Sequence, residues 1–146
     1  MLTNRHRKHQ ACVKTVAEKL QSLGLQVEIQ PWNKGFDLLV NERIKVSIRV
    51  AYPHQMHRVT RSRGKEYEYY YSVYVFNFHA RGHYNTTTDY FICIGMVGAS
   101  TQKTFIIPRY RLSGKTFCLQ AMGRHYRGKY LPFQENWQTL TQPASL

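Results

Sequence analysis

Asp37 is the first residue whose type and place suggest chemistry. It is one of two aspartates in the chain, and it leads from Gly35-Phe36 into the apolar run Leu38-Leu39-Val40. A carboxylate in such a run costs free energy unless it is paired, bound to a metal, or at the exposed end of its strand. Two readings stand side by side: a metal-binding carboxylate, or an ion pair with Arg49 or Lys45 on the neighbouring strand. In the next stretch Lys45, Ser47 and Arg49 alternate with Ile44, Val46, Ile48 and Val50. Strand geometry puts the three polar residues on one face. A serine hydroxyl is a poor ligand for Mg²⁺, which prefers hard anionic oxygens. Arginine stays protonated and cannot take a proton from water, but it grips phosphate bidentately. As written, this face suits holding a phosphate better than activating a water.

Other constellations are weaker or more ambiguous. From His54 to Lys65, four fixed charges (Arg58, Arg61, Arg63, Lys65) and two histidines fall within twelve residues. That segment reads as a basic loop, made for phosphate contacts or simply solvated. The aromatic run Tyr67, Tyr69, Tyr70, Tyr71, Tyr74, Phe76 and Phe78 fits stacking platforms for unpaired bases or a central strand covered on both faces. The core reading is favoured, with one or two tyrosines exposed near Glu66 and Glu68. His79 and His83 span a glycine rather than a helix face, and His54 and His57 sit among cations, so a zinc site is not expected. His79 is instead expected on the phosphate side with Arg81. Leu112-Ser113-Gly114-Lys115-Thr116 mimics the end of a phosphate-binding loop, but Arg109 occupies the first glycine position and the following residues read as strand. Asn85-Thr86-Thr87 has meaning as a glycosylation site only in a secreted protein.

These residues need elements to position them. Cys12, Val13, Val16, Ala17, Leu20 and Leu23 recur at helical spacing, with Asn4 or Thr3 as cap and Gly24 as stop. The opposite face carries Arg5, Arg7, Lys8, Lys14 and Lys19. Strands are expected at Leu25–Ile29, Phe36–Val40, Ile44–Val50, Tyr67–His79, Tyr90–Met96, Thr104–Ile107 and Thr116–Gln120. Loops are expected at 53–65, 82–88 and 98–103. A second basic loop carries Arg124, His125, Arg127 and Lys129. It precedes a short helix on which Phe133, Trp137 and Leu140 share a face, and residues 142–146 are expected to fray. The outline is an α/β (α+β) fold: an N-terminal helix, a mixed central sheet and a short C-terminal helix.

Composition bounds the function. The 146 residues are expected to form a single domain, 1–146, and they carry 21 Lys+Arg against 8 Asp+Glu, a formal net charge of +13. A hydrophobic content of 42% suffices for a core and argues against a disordered basic tail. No apolar run approaches the ~20 residues of a membrane helix. The first residues lack the apolar centre of a secretory signal. The three cysteines, Cys12, Cys93 and Cys118, are far apart and odd in number, which fits a reducing compartment. A cytoplasmic, polyanion-binding protein with no membrane partner is the expectation.

The order of these segments resembles the PD-(D/E)XK nuclease superfamily, with its restriction-endonuclease-like core. The resemblance lies in a helix, a strand, "GFDLLV", "IKVSIRVA", "DYFICIGM", "TFIIP", "GKY" and "ENWQTL", spread over nearly the whole chain. It is nearest to small bacterial proteins akin to intron-encoded homing endonucleases. In that superfamily one acid, then an acid or glutamine two residues before a lysine, bind Mg²⁺ with phosphate, and a helix glutamate often completes the site. The resemblance implies Asp37 as the first acid and the candidate metal ligand, Ser47 at the second acid, and Arg49 at the lysine. The helix position falls near His9 to Cys12, where there is no acid. Three of the four elements are altered.

The reading is therefore a nucleic-acid-binding protein, DNA before RNA, on a nuclease-like fold with a degenerate, inactive metal site and no expected cofactor. Phosphate contacts are assigned to Arg5, Arg7, Lys8, Lys45, Arg49, Arg58, Arg61, Arg63, Lys65, Arg81, Arg124, Arg127 and Lys129. Two alternatives remain. One is an active Mg²⁺-dependent endonuclease in which Lys45 replaces the lysine and Glu18, Glu42 or Glu66 the acid. Another is an RNA-binding ribonucleoprotein component. A homo-oligomer on a twofold-symmetric duplex is compatible with either DNA reading.

Overall fold

The computed structural model describes residues 3–31, 35–80, 83–84, 87–121 and 126–141. Helix α1 spans Asn4–Ser22. Its cap is Thr3, whose hydroxyl accepts the His6 N–H at 3.3 Å. At its other end Gly24 adopts φ +88°. The Leu25 N–H then reaches back to the Leu20 carbonyl and the Gly24 N–H to that of Gln21, the paired bonds of a glycine-terminated helix. Cys12, Val13, Val16, Ala17 and Leu20 form its buried face, as the spacing requires.

Among the described residues ten strands follow: β1 (Val27–Ile29), β2 (Leu38–Val40), β3 (Ile44–Ala51), β4 (His54–Ser62), β5 (Lys65–Asn77), β6 (His79–Ala80), β7 (His83–Tyr84), β8 (Tyr90–Val97), β9 (Ser100–Pro108) and β10 (Thr116–Gln120). The five-stranded sheet has the order β1-β2-β3-β8-β9. Only β3 and β8 run parallel in it, so the central sheet is mixed as expected. A three-stranded antiparallel sheet has the order β10-β5-β4, and β6 pairs with β7. Two short helices close the described chain: a 3-10 turn at Leu131–Phe133 and α2 at Gln138–Thr141. The result is an α+β fold.

The five-stranded sheet is covered on both faces. Val46, Ile48, Ile92, Ile94 and Ile106 meet α1 in an aliphatic core. On the other face Phe91, Cys93, Phe105 and Ile107 meet Tyr74, Phe76, Phe117 and Tyr130 in an aromatic core. Phe105 and Phe117 pack edge to face at 5.1 Å. Tyr74 lies so close over β8 that a Cβ on Gly95 would stand 2.7 Å from its ring, so that position has room for glycine alone.

Several expectations change. The segment 53–65 is not a loop. It is β4 and the tight turn into β5, with Arg63 and Gly64 at φ +52° and +73°. No apolar alternation marked this strand, because β4 is exposed along almost its whole length. The loop 98–103 shrinks to a two-residue turn between Val97 and Ser100. β1 and β2 are shorter than the spacing suggested. Phe133 lies in the 3-10 turn against the aromatic core, whereas Trp137 and Leu140 join the aliphatic one. Residues 142–146 lie outside the described residues.

Candidate functional site

The site is organised around the backbone of β3. Pairing of β2 with β3 ends at Leu38↔Val46, while β3 runs on to Ala51. In a strand the N–H and C=O of one residue point to the same side, so Ile48 presents both where β2 has ended. Leaving either unpaired is costly. The Asp37 Oδ2 accepts the Ile48 N–H at 2.7 Å. His9, two turns into α1, places Nε2 3.0 Å from the Ile48 carbonyl. That nitrogen must carry the proton, because a carbonyl only accepts. It also lies 3.6 Å from Asp37 Oδ2, as an ion pair when His9 is protonated. The Asp37 contact raises the His9 pKa above 6.5. Burial opposes the rise, the Ile48 carbonyl assists it, and the charge of Arg49 opposes it.

Asp89 does the same on the opposite edge of β3. Its Oδ2 accepts the Lys45 N–H at 2.9 Å and its own N–H donates to the Lys45 carbonyl at 2.8 Å. Both aspartates of the chain thus complete the hydrogen bonding of the same strand.

Ser47 and Arg49 share a face, as the two-residue spacing requires, but that face is packed rather than open. Ser47 is 1% exposed and hydrogen-bonds to Thr88. The Arg49 guanidinium sits 5.5 Å over the Phe91 ring, and its buried Nε has no hydrogen-bond partner among the described residues. Burial lowers the Arg49 pKa, offset in part by the Asp37 charge. The ion pair of Asp37 is with His9 rather than with the expected Arg49 or Lys45, and Arg49 acts on Asp37 only through its charge. Lys45 is exposed, with Nζ 5.7 Å from the Phe36 ring. His9 was the residue missed as a participant. The helix position was located, but the absence of an acid there hid the imidazole.

Beside His9 opens a cavity of about 590 Å³ lined by Arg5, Lys8, His9, Val50, Ala51, Tyr52, His54 and Val75. Lys8 Nζ lies 4.9 Å over the Tyr52 ring. Arg7 is exposed on the same helix. Arg58, Arg61, Arg63 and Lys65 are exposed on the β4–β5 ribbon, away from Asp37 in the fold's second sheet. Lys129 is tied to Ser113 through its carbonyl and hydroxyl, and Arg127 is exposed nearby. Arg81 and Arg124 lie outside the described residues, as do the side chains of His79 and His83.

The superfamily pattern implies Mg²⁺ at Asp37, and these residues do not fit it. Asp37 Oδ2 already accepts the Ile48 N–H, and the nearby Arg49 guanidinium carries a fixed positive charge that repels a cation. Among the described residues no group of three His, Cys, Asp or Glu side chains is placed to hold a metal ion.

The fold is the restriction-endonuclease-like one, as a comparison with solved structures shows. A bacterial homing endonuclease, I-Ssp6803I, has a similar structure: TM-score 0.61, 14% sequence identity, covering 96% of this chain and 95% of that one. No protein-family profile and no curated protein matches the sequence. Among the described residues no helix is long and apolar enough to cross a membrane.

Proposed function

We propose that this protein binds nucleic acid, duplex DNA first, with its nuclease-like centre serving as structure and phosphate contact rather than as a metal-dependent catalyst. The cationic cleft of Arg5, Lys8, His9 and His54 beside Asp37 and Arg49 carries this reading. Neutralising phosphates releases counterions, so affinity falls steeply with salt. The +13 charge supports the same conclusion, and so does the shared fold with a homing endonuclease.

Titration of a labelled DNA duplex at several salt concentrations tests it. Log affinity is expected to fall by about 0.9 per phosphate contacted for each unit of log salt, and a flat dependence would sink the reading. Asp37→Asn keeps an acceptor for the Ile48 N–H and deletes a negative charge beside Arg49. It should bind somewhat more tightly than wild type. Plasmid cleavage with Mg²⁺ that disappears in Asp37→Asn would instead establish an active endonuclease, and preference for an RNA duplex would move the protein to the ribonucleoprotein class.

A further inference from the structure

The β4–β5 ribbon has two faces of different character. Directly opposite residues of an antiparallel pair share a face, so the register assigns each side chain. On one face lie Arg61 with Glu66, Val59 with Glu68, and His57 with Tyr70. Its charges are spent internally: Arg61 pairs with Glu66 at 3.2 Å, and His57 lies 3.8 Å from Glu68 and stacks on Tyr70. On the other face lie Arg58 with Tyr69, Thr60 with Tyr67, and Ser62 with Lys65. It holds no acid. Arg58 and Lys65 make no ion pair among the described residues, and Tyr67 and Tyr69 are 44% and 52% exposed. The same face begins at His54, opposite Val73, and His54 lines the cationic cleft beside α1.

We infer that the Arg58–Lys65–Tyr67–Tyr69 face of this ribbon enters the major groove of a DNA duplex whose backbone lies along the α1 cleft. The inference rests on the nucleic-acid reading and adds to it a reading element, its inner face and its groove. The supports are geometric and electrostatic. Among the described residues β10 pairs only with Val73–Asn77, so the outer ribbon there is a two-stranded arm. Nine residues of strand extend about 30 Å, and a two-stranded ribbon fits the ~12 Å major groove. Arginine, threonine and serine can hydrogen-bond base edges, and the tyrosine rings supply apolar contact to thymine methyls. The face with paired acids would repel phosphate and is left to solvent.

Two pairs of substitutions on a mixed-sequence DNA duplex test this. Arg58→Ala and Arg61→Ala each delete one arginine from the ribbon and differ in face. Arg58→Ala should weaken binding about tenfold, as the loss of a base-edge contact does, while Arg61→Ala changes affinity less than about twofold. Removing Arg61 also frees Glu66, so a general charge effect would make Arg61→Ala the worse variant. Equal losses, or a larger loss from Arg61→Ala, overturn the assignment of faces. Tyr69→Ser against Tyr70→Ser repeats the comparison without changing charge. A duplex carrying bulky 5-substituents on its pyrimidines, which fill the major groove, should bind wild type more weakly than the plain duplex, and equal binding overturns the groove. If Lys8→Ala weakens binding while Arg58→Ala and Tyr69→Ser match wild type, the ribbon inference falls and the nucleic-acid reading survives. If wild type shows no salt-dependent binding at all, both fall. Each substituted side chain is exposed, and far-UV circular dichroism verifies that the sheet is retained.

Discussion

The two larger sheets are made from similar strand-forming residues and end in opposite environments. β3 and β8 lie in the five-stranded sheet, where α1 covers one face and the aromatic cluster the other. Two of the three polar positions of β3 are drawn in, so that Ser47 is buried and Arg49 lies across Phe91, while Lys45 stays exposed. β5 begins as a bare arm and is gathered into the aromatic core only from Val73 onward. One strand thus carries both environments, with Tyr69 and Tyr70 in solvent and Tyr74 fully buried. Tyrosine serves both because its ring packs and its hydroxyl tolerates water. The comparison teaches that chemistry here is divided. The covered sheet uses its charged groups to hold itself together, and the arm leaves a cationic face unspent.

The sharpest way to break that contrast is to truncate one aromatic ring in each region. Phe91→Ala in the covered sheet should cost about 3–5 kcal/mol, and Tyr69→Ala on the arm should stay within about 0.5 kcal/mol. Urea unfolding of the two variants measures both, and similar costs would mean that the arm is packed against something. A smaller effect tests whether the Asp37 site is a structural device. His9 is protonated more readily in the folded state because of Asp37. Its contribution is therefore complete below the unfolded pKa near 6.5 and is lost as pH rises through the raised folded value. His9→Gln retains a donor for the Ile48 carbonyl but no charge. Its stability deficit should be largest in mild acid and shrink on going to alkaline pH, and a pH-independent deficit would leave only the hydrogen bond. The smallest effect belongs to the arm. A double-mutant cycle on Arg61 and Glu66 should give a coupling below about 0.5 kcal/mol, because both side chains are largely exposed.

Helix α1, its cap and stop, and the alternation of β3 were legible because periodic apolar burial imposes a periodic sequence. Asp37 was conspicuous for the same reason, as an acid in an apolar setting. β4 was not legible. With both faces in solvent it has no apolar period, and its arginines and histidines read as loop. The pairing of His9 with Asp37 joins residues 28 positions apart by number, and nothing local in either segment announces it.

By itself the sequence determined an α+β chain of strong positive charge, its helix and central strand, and an acid whose expected companions are replaced by Ser47 and Arg49. Only the tertiary structure decided that Asp37 and His9 complete the Ile48 backbone, that Ser47 is buried, and that the basic segment is a two-faced ribbon whose acids stand on one side. The reason is physical. Composition and period record how each residue meets water, whereas pairing register and the ends of neighbouring strands decide which side chains meet one another.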